Sequence, residues 1–243
     1  MEKGRLDKFL NTNKMAISRD RSISLIKSWS VSVNWKVITK PSYFVSATDK
    51  IVITNTDFKW VSRAWLKLEK AFKKWKIDVS WKICADIWAS TWGFCDVLLE
   101  WYTERIYAVD VWHSQLHQKI KSCPKVINLE KTNARSLTSE HIPEKLDFFC
   151  SDVSFISITK IIPSIWAFLK PWWAFVILIK PQFELYPSAL NSKWIVKNSN
   201  LQKEAVDKVL SFVSSQWYKI IWLTESPIKW WDWNTEYLLY AKK

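Results

Sequence analysis

Glycine is almost absent from this 243-residue chain, which contains 2 glycines and 19 tryptophans. Average usage of about 7% would place roughly seventeen glycines in a chain of this length. Glycine is also the default residue wherever the backbone must turn through positive φ. The dipeptide Asn34-Trp35 lies between two β-type runs, Val31–Val33 and Lys36–Ile38, where a two-residue hairpin turn favours Asn-Gly. Tryptophan therefore stands where the fold requires glycine.

We hypothesise that most of these tryptophans are glycines in the cell, because the gene reads UGA as glycine whereas the printed sequence reads UGA as tryptophan. The turn-like segments Ser80-Trp81-Lys82, Lys193-Trp194-Ile195 and Lys170-Pro171-Trp172-Trp173 fit this interpretation. The alternative is a truly tryptophan-rich protein that binds carbohydrate or single strands by stacking. UGG codons at Trp35, Trp88 and Trp92 would exclude the hypothesis.

Size, charge and cysteine content limit the possible classes of protein. The length allows one large domain and a small one, with a core that needs no disulfide bonds. The four cysteines form no Cys-x-x-Cys pair, and no apolar run reaches the roughly twenty residues of a membrane span. We therefore expect reduced thiols, no metal site, a cytoplasmic location and no stable membrane association. The net charge of +13 favours an anionic partner such as nucleic acid, although a basic enzyme without such a partner is also possible.

Residues 1–55 form a first predicted domain. A short helix is predicted at Leu6–Leu10, Ser18 is a candidate N-cap of a second helix, and the hairpin around Trp35 follows. The Arg-Leu-Asp start and the Ser-Arg helix resemble the S4 type of RNA-binding domain. This resemblance implies RNA contacts by basic residues in or beside the helices and by the first residue after the linker: Arg5, Lys8, Arg19, Arg21, Lys27 and Arg63. The alternative is a solvated basic face without a ligand.

Residues 56–62 are predicted to be a linker and residues 63–243 a second domain. Strand-type and helix-type runs alternate in it, which predicts a mainly parallel sheet with helices on both faces. The last two strands are joined by the short turn around Trp230–Asn234 and must pair antiparallel. The second domain therefore resembles the α/β, Rossmann-like fold of S-adenosylmethionine-dependent methyltransferases.

A strand that ends in Asp86-Ile87 runs into a loop from Trp88 to Phe94. With glycine at 88 and 92 the loop becomes glycine-rich, which allows a cofactor to approach the backbone beyond the carboxyl end of the strand. Such a turn serves nucleotides equally well. Asp110 ends the next strand, where a carboxylate can accept hydrogen bonds from two ribose hydroxyls.

Several motifs along nearly the whole chain resemble the hemolysin A family of bacterial ribosomal RNA 2′-O-methyltransferases, which combine an S4 domain with an FtsJ-like methyltransferase domain. The matching stretches are Val61–Leu68, Asp86–Phe94, Thr132–Arg135, Asp152–Ser157, Lys180–Glu184, Ser226–Ile228 and Asn234–Tyr237. In nearly all of them the glycines of the family fall where this chain has tryptophan, which supports the recoding hypothesis independently.

The resemblance implies a catalytic set and a cofactor site. The catalytic set is Lys67, Asp152, Lys180 and Glu236, with Lys180 as the base whose neutral form is favoured by burial and by Lys67 and opposed by the two carboxylates. The alternative for each residue is an ordinary surface salt bridge. The implied cofactor is S-adenosyl-L-methionine, held by Asp86, Trp88, Ala89, Ser90, Thr91, Trp92, Gly93, Phe94, Asp110, Asn133, Ala134 and Asp152.

The roles of two residues, and the function as a whole, have alternatives. Asn133 either contacts the adenine or forms an Asx turn, and Phe155 either lines the pocket or belongs to the core. The expected function is 2′-O-ribose methylation of ribosomal RNA, with ribosomal RNA or ribosomal subunits as partners. The alternatives are a non-catalytic RNA-binding or ribosome-assembly factor and a membrane-active, hemolysin-like protein.

Overall fold

The computed structural model describes residues 4–16, 18–27, 30–53, 64–89, 93–112, 120, 122–192, 194–228 and 234–243, apart from the side chains at 20, 21, 24 and 27. The chain divides into two compact units, Met1–Arg63 and Ala64–Lys243.

Two helices and short antiparallel strands make up the first unit. Its elements are β1 (Gly4–Arg5), α1 (Leu6–Thr12), α2 (Arg19–Lys27), β2 (Val31–Val33), β3 (Lys36–Val37), β4 (Phe44–Val45) and β5 (Ile51–Ile53). Strand β2 lies between β3 and β5 and pairs antiparallel with both, and β1 pairs with β4. Leu6, Leu10 and Ile26 are fully buried between the helices and the sheet. Both predicted helices are therefore present, and α2 begins directly after Ser18.

The turn between β2 and β3 has the geometry that the sequence predicts. Asn34 has φ 48° and Trp35 has φ 69°, so both central residues lie in the left-handed region. The side chain of Asn34 donates to Asp49 (2.8 Å) and accepts from the backbone N–H of Lys50 (2.9 Å). Trp35 is 75% exposed. A tryptophan there has a strained backbone conformation, and its exposed ring buries too little surface to offset the strain.

The second unit contains one large sheet with helices around it. Its elements are α3 (Trp65–Trp75), β6 (Ile83–Ile87), α4 (Gly93–Glu100), β7 (Arg105–Val109), β8 (Val126–Leu129), β9 (Leu146–Ser151), α5 (Ile162–Ile165), β10 (Leu169–Ile179), α6 (Pro181–Glu184), α7 (Ser199–Ser215), β11 (Lys219–Glu225) and β12 (Tyr237–Lys242). Short 3-10 turns at Ala134–Ser136, Ile158–Lys160, Trp166–Phe168 and Pro187–Ala189 complete it.

The seven strands follow the order β11-β12-β10-β9-β6-β7-β8. The five strands from β10 to β8 are parallel, whereas β12 is antiparallel to both β10 and β11. From β6 the chain proceeds to β7 and β8 on one side, and then crosses to β9 on the other. The predicted α/β, Rossmann-like sheet with a closing antiparallel hairpin is confirmed, and its switch point lies between β6 and β9.

The segment before the fifth parallel strand differs from the prediction. The sequence predicts a turn at Lys170-Pro171-Trp172-Trp173, but β10 begins at Leu169 and continues through this segment, with a register shift between Leu169 and Ala174. Trp173 is 2% exposed and its ring lies 4.6 Å from that of Tyr218, centroid to centroid. At this position, aromatic packing in the core overrides the turn-like local sequence.

Tryptophan is unusually frequent at positive φ in this fold. Of the eleven described residues other than glycine that have positive φ, five are tryptophan: Trp35, Trp81, Trp88, Trp194 and Trp217. Bulky residues rarely adopt this conformation, and glycine adopts it without cost. The backbone therefore supports the recoding hypothesis at these five positions.

No helix within the described residues is long and apolar enough to cross a membrane.

Candidate active site

The predicted catalytic residues meet at the carboxyl edge of the parallel strands. Asp152 follows β9 directly, Lys180 follows β10, and Glu236 precedes β12. Because β12 is antiparallel, its first residue, Tyr237, pairs with Ile179 at the end of β10. The start of β12 therefore brings Glu236 to the edge where Asp152 and Lys180 already lie, beside the switch point.

Lys67 reaches this edge from helix α3 and joins the two carboxylates. Its Nζ lies 3.0 Å from Asp152 Oδ2 and 2.7 Å from Glu236 Oε2. The side chains of Lys67 and Glu236 are 5% and 0% exposed, whereas that of Asp152 is 19% exposed. A surface salt bridge, the alternative considered from the sequence, does not describe so buried a contact.

Lys180 is the second cation of the set. Its Nζ lies 2.7 Å from Asp152 Oδ1 and donates to Ser154 Oγ (2.7 Å) and to the backbone carbonyl of Asp152 (3.2 Å). Glu236 Oε1 lies at 3.9 Å. Two ammonium groups and two carboxylates therefore form one compact cluster, in which Asp152 bridges both lysines.

The cluster shifts the protonation equilibria of its members. Burial alone would raise the pKa of Asp152, but the ammonium groups of Lys180 and Lys67 outweigh it and hold the pKa below its ordinary value. Burial would lower the pKa of Lys67, but Asp152 and Glu236 outweigh it and raise that pKa. For Glu236 burial prevails over Lys67, and its pKa is raised. Lys67 is thus a fixed cation that holds two carboxylates.

Asp86 lies one residue before the end of β6 and is 1% exposed. Its Oδ2 accepts a hydrogen bond from Cys95 Sγ (3.1 Å), while its buried Oδ1 has no hydrogen-bond partner among the residues that the structure describes. Burial, with Asp152 and Asp110 nearby, raises the pKa of Asp86 to about 7. A buried carboxylate oxygen without a donor fits a ligand that brings hydroxyl or ammonium groups, as S-adenosylmethionine does.

The predicted cofactor loop is described at its two ends. The backbone N–H groups of Trp88 and Ala89 donate to the carbonyl of Val109 (2.9 and 3.0 Å). At the other end, a Cβ on Gly93 would lie 2.6 Å from the Cβ of Ala64 and 2.8 Å from the backbone nitrogen of Trp65, so α4 can begin there only with glycine. Phe94 is buried beside it. The predicted residues Ser90, Thr91 and Trp92 lie outside the described part of the chain.

Asp110 follows β7, and its Oδ1 accepts from the backbone N–H of Trp112 (2.8 Å). Asn133 Oδ1 accepts from the backbone N–H of Arg135 (3.0 Å), so the Asx turn that the sequence left open is formed. Ala134 is buried in the core behind it. Phe155 is 73% exposed with φ 65°, which excludes the core for this ring.

In the first unit, two of the predicted RNA-binding residues converge on one carboxylate. Arg5 donates to both oxygens of Asp7 (2.9 and 3.0 Å), and Arg19 Nε donates to Oδ2 (3.0 Å). Asp7 is fully buried, while Arg5 and Arg19 keep 38% and 50% of their side chains exposed. Lys8 is exposed on α1. The remaining predicted residues, Arg63 and the side chains of Arg21 and Lys27, lie outside the described part of the chain.

Three polar residues of the site were not predicted as functional. Ser154 contacts Lys180, Cys95 contacts Asp86, and Glu184 accepts hydrogen bonds from Ser157 and Ile158. Ser154 and Glu184 lie within the quoted motifs Asp152–Ser157 and Lys180–Glu184, so the motifs contained a signal. Within the described residues, no group of three or more His, Cys, Asp and Glu side chains could hold a metal ion.

Comparison with known proteins places the chain in a family. The model of the FtsJ-like methyltransferase family matches residues 60–243, and that of the S4 domain matches residues 4–51.

Hemolysin A of Brachyspira hyodysenteriae is 37% identical over 237 residues, covering 97% of this chain and 98% of that protein. The 16S/23S rRNA (cytidine-2′-O)-methyltransferase TlyA of Mycobacterium tuberculosis is 32% identical, with 99% and 90% covered. A solved hemolysin-like protein from Streptococcus thermophilus superposes with a TM-score of 0.77 at 29% identity, covering 100% of this chain and 89% of that one. The chain belongs to the FtsJ-like methyltransferase family and carries an S4 domain at its N-terminus.

Proposed function

We propose that this protein transfers a methyl group from S-adenosyl-L-methionine to a ribose 2′-hydroxyl of ribosomal RNA. The observation that carries the proposal is the buried cluster of Lys67, Asp152, Lys180 and Glu236, held at the carboxyl edge of the sheet beside the switch point. Open α/β sheets bind ligands at this place. Two carboxylates and two amines in one cluster provide the groups needed to orient a hydroxyl and to take its proton.

The residues present fit the proposed cofactor. S-adenosylmethionine, when bound, supplies an electrophilic methyl group on a sulfonium centre. Asp86 offers a buried oxygen without a donor, and Asp110 places a carboxylate at the end of the neighbouring strand for the ribose hydroxyls. Trp88 and Ala89, which follow β6, lie at the same edge. We assign the remaining predicted cofactor contacts, including those of Asn133 and Ala134, to this site.

Lys180 is the proposed base. Its Nζ donates to two oxygens, the backbone carbonyl of Asp152 and Ser154 Oγ, and lies 2.7 Å from a third, Asp152 Oδ1. A neutral amine donates two hydrogen bonds and accepts one, so the ribose hydroxyl takes the place of one of these oxygens and donates to Nζ. Lys67 remains as a cation between the two carboxylates when Lys180 is neutral. The amine then accepts the proton that the hydroxyl loses as its oxygen takes the methyl group.

Ribosomal RNA as the substrate is supported by charge and by relatives. The net charge is +13, and Arg5 and Arg19 present partly exposed guanidinium groups that Asp7 holds in place. The relative from M. tuberculosis carries the name of a ribose methyltransferase for 16S and 23S rRNA. We propose ribosomal RNA or a ribosomal subunit as the partner and the S4 domain as the part that holds it.

The test measures transfer of radiolabelled methyl from S-adenosylmethionine to ribosomal RNA by the full-length chain. Two forms are compared, one with tryptophan and one with glycine at 88 and 92. We expect the glycine form to be active and the tryptophan form to be impaired, because glycine allows the cofactor to approach the backbone of this loop.

Within the active form, Lys180→Ala should lower kcat by about 10²- to 10⁴-fold and leave the Kd for S-adenosylmethionine unchanged. Lys160, which is exposed, provides the matched control variant Lys160→Ala. Turnover retained by Lys180→Ala would refute the assignment of the base. RNA binding without methyl transfer in both the glycine form and the tryptophan form would instead favour a non-catalytic RNA-binding factor.

A further inference from the structure

The loop that joins Asp152 to Ser157 carries one catalytic residue and contacts another. Near its beginning, Asp152 and Ser154 contact the ammonium group of Lys180. At its far end, Ser157 Oγ donates to Glu184 Oε2 (2.5 Å), and the backbone N–H of Ile158 donates to Glu184 Oε1 (2.8 Å). Both anchors therefore come from the short segment Lys180–Glu184.

Glu184 is well placed for this contact. It is the last residue of α6, only four positions after Lys180, and it is 4% exposed. Lys208 of α7 supports it from the other side, since its Nζ donates to the carbonyl of Glu184 and lies 3.8 Å from Oε2. Both carboxylate oxygens are used within the protein. The residue thus connects the two segments that follow β9 and β10.

The backbone of the loop is strained between these two anchors. Phe155 has φ 65° and is 73% exposed, and its ring lies 5.3 Å from that of Phe183, centroid to centroid. A non-glycine residue is disfavoured in this region, and it persists only where the surroundings fix the backbone. The hydrogen bonds to Lys180 and to Glu184, on either side of Phe155, fix it.

We propose that Glu184 is a positioning residue for methyl transfer, which holds the 152–157 loop so that Asp152 and Ser154 keep Lys180 in place. The proposal rests on the proposed function of the cluster. Glu184 itself contacts none of the four described residues of the cluster, so it acts through the loop. Its loss should therefore change the rate of the chemical step and leave the cofactor-binding strands β6 and β7 untouched.

The experiment compares Glu184→Ala and Glu184→Gln with the exposed control Glu204→Ala in the whole chain that has glycine at 88 and 92, which is the wild type of this comparison. We expect Glu184→Ala to lower kcat about 10- to 100-fold, because small displacements of catalytic groups have effects of this size. The Kd for S-adenosylmethionine should change less than kcat, because Asp86 and Asp110 lie on other strands and only Asp152 of the proposed cofactor contacts belongs to the loop. Glu184→Gln should restore kcat to within about threefold, since its amide oxygen can accept from Ile158 and its NH₂ can donate to Ser157 Oγ.

Hydrogen exchange at residues 153–158 is measured on the same variants. It should be faster in Glu184→Ala and close to wild type in Glu184→Gln and Glu204→Ala. A kcat unchanged in Glu184→Ala, or a Gln variant as slow as the Ala variant, would overturn the proposal, and so would a parallel loss of cofactor binding and thermal stability. A wild-type chain without methyl transfer would contradict the function of the cluster instead, and the exchange data would still show whether Glu184 holds the loop.

Discussion

Three exposed tryptophans of the second unit allow the strain argument to be tested by stability. Trp81, Trp194 and Trp217 have φ of 59°, 58° and 66° and are 76%, 55% and 88% exposed. An L-residue in this conformation costs roughly 1–2 kcal/mol, whereas glycine adopts it freely. Because the indoles are largely exposed, their removal sacrifices little buried surface.

We expect the triple replacement Trp→Gly at these positions to stabilise the second unit. The relief of about 1–2 kcal/mol at each site is reduced by the larger entropy of unfolded glycine, about 0.5–1 kcal/mol, so the central values give a net gain of about 2 kcal/mol for three sites. For a unit of this size, that gain raises the Tm by roughly 4–8 °C. Differential scanning calorimetry of the full-length variants measures it.

Trp222 provides the matched control. It is 53% exposed in strand β11 and has no positive φ. Glycine within a strand costs about 0.5–1 kcal/mol, so Trp222→Gly should lower the Tm slightly. A triple variant that melts no higher than the parent, or that shifts in the same direction as Trp222→Gly, would refute the claim that these bends require glycine.

Three further predictions concern the cofactor site, the exposed ring and the RNA surface. Since folding raises the pKa of Asp86 from its ordinary value of 3.8 to about 7, the contribution of this group to stability is complete below about pH 4 and is lost as pH rises to about 7. Asp86→Asn should therefore be more stable than the wild type at pH 7, by up to about 4 kcal/mol, which thermal melts between pH 4 and 8 would measure. The same variant should bind S-adenosylmethionine more weakly in a calorimetric titration. Phe155→Ala should leave the Tm unchanged and weaken productive RNA binding by about 1–3 kcal/mol, seen in the KM for RNA, because Phe155, three residues after Asp152, has an exposed ring that can stack on a base. Arg19→Ala should reduce the slope of log affinity for RNA against log salt concentration by about 0.7–0.9, and an unchanged slope would exclude a phosphate contact.

The fold was predictable from local patterns. Alternating runs indicated the parallel sheet, and the short turn before Glu236 indicated the antiparallel hairpin, because both follow from chain connectivity. The hairpin at Asn34-Trp35 was predictable from its turn residues. The Trp172-Trp173 segment was not, because the packing of Trp173 against Tyr218 joins residues that are far apart in sequence.

The catalytic set was placed through motifs, while its supporting contacts needed the structure. Nothing in the local sequence reveals that Glu184 bonds Ser157, 27 residues away, or that Cys95 donates to Asp86. The raised pKa of Asp86 likewise depends on burial and on Asp152 and Asp110 nearby. Such effects arise from tertiary packing, which a pattern of residue types does not contain.

The most direct test of the central claim locates the transferred methyl group. Ribosomal RNA is incubated with S-adenosylmethionine and the glycine form of the chain, digested to nucleosides and analysed by mass spectrometry. The account predicts a 2′-O-methylated nucleoside that is absent when Lys180→Ala replaces the wild type. A methyl group found on a base, or equal ribose methylation by the Lys180→Ala variant, would contradict it.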